Sequence, residues 1–330
     1  MPSQRCPLTY EVLSQNDNSE ASRERGYGAY CAQGLKTLSR NLKALKLFPY
    51  TREEQIDFAK RMAGKLSIQG VQPKLSAVLD VRQESFVLTE RGGTYILKPQ
   101  NLLWAHLPEN EDLVMDLAAM FRISVPLHGL IYAQDMSLSY FIRRFDRPSL
   151  RNPIQKKVAV EDFAQLSGKN RLVKYESSME QVAKVIEKFT TFPMIEKQKF
   201  FRMSLFNFIV GNEDMHLKNF SLIQNGKIVE LSPAYDLLST TVALQGQASE
   251  EIALPLNGRK NRLTYQDWIL YFAYERLHLN SNFIQGLFNE LRQIQQKWNA
   301  HITHSFLPEP QKNALKSLIQ ERLSIVNIAQ

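Results

Sequence analysis

Residues Gly211–Leu222 read GNEDMHLKNFSL, placing Glu213, Asp214, His216, Lys218 and Asn219 between an apolar helical run and a short strand pattern. Gly, Asn and Asp favour turns through local backbone effects, and charged side chains prefer water, so a solvated loop would have the same composition. What flanks the segment decides between the two readings. Asp214 is followed, after four residues, by Asn219. Downstream, FSLIQNGKIVELSPAYDLLS carries two strand patterns around an Asn-Gly turn and then a further acid, Asp236.

Protein kinases separate a catalytic Asp from a metal-binding Asn by this spacing, because the loop must aim a base at a substrate hydroxyl while an amide oxygen reaches a metal on the phosphates. A second carboxylate after a short hairpin chelates that metal, a role open to Asp236; the other reading makes Asp236 the cap of a helical turn. Upstream, Lys98 ends the apolar strand pattern TYILKP, where burial without a partner would be costly and where a phosphate-binding Lys is needed. The helix beginning ENEDL offers Glu109 or Glu111 as its ion-pair partner, although acids also suit a helix N-terminus for dipole reasons. SIQGVQPKLS has one glycine instead of a G-x-G-x-x-G loop, yet the amides around Gly70 and the ammonium of Lys74 suit phosphate, if the stretch is more than a tight turn. In this order the residues predict a kinase-like phosphotransferase, and His216 and Lys218 then have a reason to sit in the loop, facing phosphate oxygens.

The surrounding pattern fits two lobes. From Ser67 to Arg144, LSAVLD, SFVLTE, TYILK, GLIYA and LSYFIRRF read as short strands rich in β-branched and aromatic residues, interrupted by one helix, ENEDLVMDLAAMF. After RRFDRPSLRNP the period becomes helical, so the boundary is expected near 147–153, with a sheet-rich N-lobe over 1–150 and a helical C-lobe over 151–330. The fold class is therefore α+β, bilobal and protein-kinase-like. The first 50 residues read as polar and irregular, followed by a helix capped by Thr51. Trp268, Trp298 and the Phe-rich segment 200–208 read as C-lobe core, while His301 and His304, with no third ligand nearby, read as surface residues and not a metal site.

At 330 residues with 44% hydrophobic content, the chain can bury a sizeable core, and 41 Lys and Arg against 33 Asp and Glu give a net charge of +8 that favours nucleotide phosphate, nucleic acid or an acidic partner. Cys6 and Cys31 are too few for a disulfide framework and read as free thiols in a reducing compartment. Without a leader pattern or an apolar run of membrane length, the expected location is cytoplasmic, with no membrane partner and no direct sequence-specific nucleic-acid binding.

Through SIQGVQPKLS, YILKP, ENEDL, RRFDR, KYES, GNEDMHLKNFSL, SPAYDLLS and ALPLNG, from about Ser67 to Lys260, the sequence resembles the HipA-like serine/threonine protein kinases, toxin components of bacterial toxin–antitoxin systems. The resemblance implies ATP and magnesium (Mg2+), with Asp214 as catalytic base, Asn219 and Asp236 as metal ligands and Lys98 as phosphate-binding Lys. Gln69, Gly70, Val71, Gln72 and Lys74 match the ATP loop, Arg143 and Phe145 the segment along the adenine, and His216, Lys218 and Asp236 complete the nucleotide site. It further implies inactivating autophosphorylation at Ser67, with an aminoacyl-tRNA synthetase as protein substrate. Having no room for the family's N-terminal subdomain, the chain looks like the short HipT-type form, which works with a small antitoxin-like protein resembling that subdomain and with a helix-turn-helix DNA-binding antitoxin. A small-molecule phosphotransferase of aminoglycoside type and a catalytically silent binding module for a DNA-bound antitoxin are the alternatives.

Overall fold

The structure, a computed structural model, describes residues 5–13, 26–62, 72–147, 157–168, 174–245 and 250–328. Ser67, Gln69, Gly70, Val71 and most of the expected boundary segment lie outside the described residues. The chain forms two compact units that do not divide it at one point. The first takes Met1–Asp112, Pro126–Phe145 and His304–Leu307, and the second takes Leu113–Val125, Asp146–Thr303 and Pro308–Gln330.

The first unit is built on an antiparallel sheet of β1 (Leu75–Asp80), β2 (Ser85–Leu88), β3 (Tyr95–Lys98), β4 (His128–Tyr132) and β5 (Leu138–Arg143), in the order β2-β1-β3-β5-β4. Each strand coincides with one of the short β-branched and aromatic runs, because alternate residues of such runs fill a half-buried pleated surface. Phe86, Tyr95 and Phe141 pack as one aromatic cluster, with ring centroids 5.1–6.0 Å apart. The register sets Lys98 opposite Tyr140 and Tyr95 opposite Arg143. Lys98 thus stands at the end of a central strand with its side chain 2% exposed.

The first 50 residues are not irregular filler. Tyr30, Leu35, Leu38, Leu45 and Phe48 are buried, and Phe48 bridges Ala133 at the end of β4. The short helix α1 (Ala32–Leu38) starts at Cys31, whose thiol accepts the Gly34 amide hydrogen, a capping role that Ser, Thr, Asn or Asp usually fills. Cys6 and Cys31 are both free and buried, and burial pushes the Cys6 thiol up to about 11. The following helix, α2 (Arg52–Met62), begins as its sequence predicts: Thr51 and Glu54 exchange side-chain-to-backbone hydrogen bonds in a capping box.

Among the described residues, the second unit is mainly helical. Its core gathers Phe200, Phe201, Phe206, Phe208, Trp268 and Trp298, all buried, so the expectation of aromatic core holds. Helix α3 (Leu107–Met120) ends in this unit; Trp298 donates its indole N–H to the Leu117 carbonyl at 3.2 Å, and Phe121 packs on Phe206 and Trp298. His301 is not the surface residue its position suggested: it is only 16% exposed and meets Asp116 at 2.7 Å. The segment Gln266–Arg276 is helical as expected but wound as a π-helix.

Two elements in this unit present the loop Gly211–Leu222. The helix Pro193–Val210 takes Pro at its first turn, where a missing N–H costs nothing, and ends at Gly211 in the left-handed region with φ 70°. The hairpin of β7 (Ser221–Asn225) and β8 (Ile228–Leu231) leaves the loop through the Asn225-Gly226 turn, and β6 (Val160–Asp162), which the sequence did not reveal, completes a three-stranded sheet β6-β7-β8. A Cβ on Gly211 would approach Thr241 Oγ1 to 2.5 Å and Leu318 Cδ2 to 2.6 Å. Gly211→Ala should therefore lose about 1–3 kcal/mol of stability from left-handed strain and overpacking together. Equilibrium urea denaturation checks this, the expected result being a lowered midpoint at unchanged slope.

Candidate active site

Within the second unit, the loop's backbone is fixed before its chemistry begins. The Thr240 hydroxyl donates to the Gly211 carbonyl at 3.1 Å, the Thr241 hydroxyl donates to Glu213 Oε1 at 2.5 Å, and the Glu213 amide donates to Thr240 Oγ1 at 2.7 Å. Asn212, 1% exposed, donates to Asn207 Oδ1 and accepts the Asp214 amide hydrogen. Met215 and Leu217 are buried, anchoring the loop by its apolar residues. Asn219 closes it by donating Nδ2–H to the Asp214 carbonyl at 2.8 Å. An amide oriented this way leaves Oδ1 as an acceptor only, which is what a hard cation takes.

The Asp214 carboxylate is 46% exposed. Its neighbour His216 is buried, and its Nε2 accepts a hydrogen bond from the Lys174 ammonium at 2.7 Å. Burial, with Lys174 beside it, holds the imidazole below its ordinary range, while Asp214 and Asp236 oppose that shift. The ring is therefore neutral near pH 7 and offers Asp214, 3.9 Å away, no ion-pair partner. The opposing influence of both acids on one ring also brings Asp214 and Asp236 into one neighbourhood. Lys218 is bound to the Asp162 carboxylate at 2.5 Å, and Asp162 simultaneously caps the short helix Phe163–Leu166. The expectation that His216 and Lys218 face phosphate meets a different geometry: each is engaged by a protein partner, and the Lys218 pair would have to open for that role.

Asp236 has φ 55°, a conformation uncommon for any residue but glycine, though several-fold more accessible to Asp and Asn than to most. It does not cap a helix; Ser239 does, accepting the Val242 amide hydrogen for the turn Thr240–Ala243. The preceding Tyr235 donates its hydroxyl to the Lys218 carbonyl at 3.0 Å, tying the Asp236 segment to the loop. Asn219 and Asp236 carry an amide oxygen and a carboxylate, donors of the kind a hard cation takes. Sequence reasoning did not single out Lys174 and Tyr175 as site residues; KYES was their only signal. Tyr175 donates its hydroxyl to Asp214 Oδ1 at 2.5 Å and packs edge-on against His216.

In the first unit, the Lys98 ammonium meets Glu111 Oε1 at 2.5 Å and lies 5.5 Å from the Tyr140 ring centroid. The other acids of ENED have their own partners, which selects Glu111 from the two candidates. Both carboxylate oxygens of Glu109 accept from Gln100 Nε2, and Glu109 faces His106, raising the imidazole's pKa, while Asp112 accepts from Tyr10 and meets His128 at 2.8 Å. Gln72 Nε2 is buried without an acceptor among the described residues, whereas Lys74 is exposed. Arg143 ends β5 and Phe145 ends this unit's segment Pro126–Phe145, both half-buried.

A five-stranded antiparallel sheet with a strand Lys paired to a helix Glu, together with an Asp-x-x-x-x-Asn loop on a helical unit, defines a protein of the kinase-like class. The HipA-like C-terminal domain family matches residues 66–298, and the chain belongs to that family. It is 28% identical to a Haemophilus influenzae protein provisionally named a kinase, over 98% of this chain and 97% of that one. It is also 28% identical to the serine/threonine-protein kinase toxin HipA of Shewanella oneidensis, over 53% of this chain and 43% of that protein. The structure of Shewanella oneidensis HipA with HipB and operator DNA superposes with a TM-score of 0.67 at 22% identity, covering 93% of this chain and 79% of that one, a likeness of fold.

Removing one member of a buried ion pair strands the other charge, at about 3–5 kcal/mol, whereas replacing both with apolar residues is far milder. Glu111→Gln should therefore be less stable than the double variant Lys98→Met/Glu111→Leu. Denaturant midpoints of the two proteins check this.

Proposed function

We propose that the chain is an ATP-dependent serine/threonine protein kinase in which Asp214 accepts the proton of the acceptor hydroxyl. The observation that carries this reading is the hydrogen bond from Asn219 Nδ2 to the Asp214 carbonyl, which holds a half-exposed carboxylate in place while leaving the Asn219 amide oxygen for a cation. As the acceptor oxygen forms its bond to the γ-phosphorus, the bond to the ADP oxygen breaks and the hydroxyl proton passes to Asp214. The neutral state of His216 supports this role, since a cationic ring there would compete for the carboxylate's charge. Asn219 and Asp236 would hold magnesium, which when bound supplies neutralisation of phosphate charge. Lys98, fixed by Glu111, would bind phosphate, with Gln72 and Lys74 contributing from the loop toward Ser67 and Arg143 and Phe145 lying along the adenine.

The Shewanella relative's name and its complex with HipB and operator DNA support a toxin of a toxin–antitoxin system with an antitoxin partner, for which a DNA-binding protein of helix-turn-helix type is proposed. A small protein resembling the family's N-terminal subdomain is proposed as a further partner, Ser67 as an inactivating autophosphorylation site and an aminoacyl-tRNA synthetase as substrate. A cytoplasmic location accords with such a substrate; among the described residues no helix is long and apolar enough to cross a membrane.

Incubation with labelled magnesium-ATP, with and without cell extract, tests the reading: label should enter a protein, this chain or one from the extract, and not a small molecule. Asp214→Asn should abolish that transfer, by at least about a hundredfold as for removal of a general base, while ATP binding stays within about twofold. Asp236→Asn should instead lower the magnesium-dependent part of nucleotide affinity, read by calorimetry with and without the cation. Transfer retained by Asp214→Asn contradicts the assignment.

A further inference from the structure

Tyr175 makes three contacts around the loop. Its hydroxyl donates to Asp214 Oδ1 at 2.5 Å, and its ring meets His216 edge-on, with centroids 5.1 Å apart. The Lys174 ammonium, bonded to His216 Nε2, lies 4.8 Å from the Tyr175 ring centroid. Lys174 and Tyr175 therefore grip the loop at two side chains, Asp214 and His216. Yet Tyr175 is 42% exposed, unlike the aromatic residues that fill this unit's core. Burial is not what places its phenol; the hydrogen bond to the carboxylate is.

An acceptor hydroxyl has to do what this phenol already does, namely present an O–H to Asp214. We propose that Tyr175 occupies the acceptor-hydroxyl position of Asp214 and must be displaced before a substrate hydroxyl can engage the base. The inference rests on Asp214 being that base. Tyr175 is then a specificity-determining residue. Water, which brings no binding energy, competes poorly with a tethered phenol, so idle hydrolysis of ATP is held down. A serine or threonine on a docked protein brings contacts elsewhere that offset the lost hydrogen bond. The acceptor class selected is a hydroxyl on a macromolecule with its own docking surface, in preference to water or a small alcohol. Displacement also requires little rearrangement, because half-exposed Tyr175 can swing toward solvent while Lys174 stays on His216.

The test uses the full chain and magnesium-ATP, with water as the acceptor. Tyr175→Phe keeps the ring against His216 and Lys174 and removes only the O–H. ATP hydrolysis should rise by roughly ten- to a hundredfold, the factor expected when one charge-assisted hydrogen bond no longer competes, while magnesium-ATP affinity stays within about twofold. A residue that merely supported the loop would lower hydrolysis when truncated, so an unchanged or reduced rate overturns the proposal. Carbon-13 labelling of tyrosine Cζ reads the contact separately, the Tyr175 signal being the one lost in Tyr175→Phe. In the wild type that phenol should stay protonated above the ordinary tyrosine range, raised by burial and by the Asp214 carboxylate, and in Asp214→Asn the part due to the carboxylate should be lost, so that the phenol titrates lower than in the wild type. A Tyr175 that titrates normally in the wild type overturns the proposal whatever the hydrolysis rates. If the phenol is held as expected but neither wild type nor Tyr175→Phe hydrolyses ATP faster than Asp214→Asn, the contact exists but Asp214 is not the base, and the competition falls together with that assignment.

Discussion

The hydrogen bond from the Asn219 amide to the Asp214 carbonyl is the constraint on which the chemistry of the second unit depends. It closes the loop across the four intervening residues, fixes the direction of the Asp214 side chain through its backbone, and orients the Asn219 amide so that only an oxygen remains to face a ligand. Everything else in the segment serves that closure. Gly211 supplies the left-handed exit from the preceding helix, Met215 and Leu217 anchor the loop in the core, and Tyr235 ties the strand of chain bearing Asp236 to the Lys218 carbonyl. The crowding of charged residues in GNEDMHLKNFSL is thereby accounted for residue by residue. Glu213 accepts from Thr241, His216 from Lys174, Lys218 binds Asp162, and Asp214, half in water, accepts from Tyr175.

A similar division operates in the first unit. Three acids within ENED begin one helix, and a helix dipole alone would welcome any of them there. Their partners separate the roles: Gln100 and His106 for Glu109, Lys98 for Glu111, Tyr10 and His128 for Asp112. Buried charge is tolerable because each carboxylate has an assigned counter-group, and the antiparallel register that sets Lys98 opposite Tyr140 brings the ammonium to the end of its strand. The placement of Tyr10 links the N-terminal segment to the same helix.

Much of this was legible in the sequence because it is written in local period and turn chemistry. The five strands, the Asn225-Gly226 hairpin, the Thr51 capping box and the aromatic helices all announce themselves within a few residues. What was illegible depends on contacts between distant residues. Nothing local to His216 or Lys218 shows that their partners lie 42 and 56 residues away, so their charges alone pointed to phosphate. The described part of the first 50 residues lacks periodicity because it contributes single buried side chains, one short helix capped by a thiol and isolated bridges instead of whole strands. Strand β6 is only Val160–Asp162 and gains its identity by pairing with β7. Tyr175 carries no signal of its own, since an aromatic residue after a Lys is ordinary until its hydroxyl is seen on Asp214.

In the proposed function, Asn219 and Asp236 form the cation site beside a base, Asp214, whose carbonyl is held by Asn219. A crystal structure of the chain with magnesium and a non-hydrolysable ATP analogue measures it directly. The account predicts the cation bound by Asn219 Oδ1 and an Asp236 carboxylate oxygen, each at about 2.0–2.1 Å, with Asn219 Nδ2 still on the Asp214 carbonyl. A magnesium ion held by neither residue, or an Asn219 amide turned away from Asp214, would contradict it.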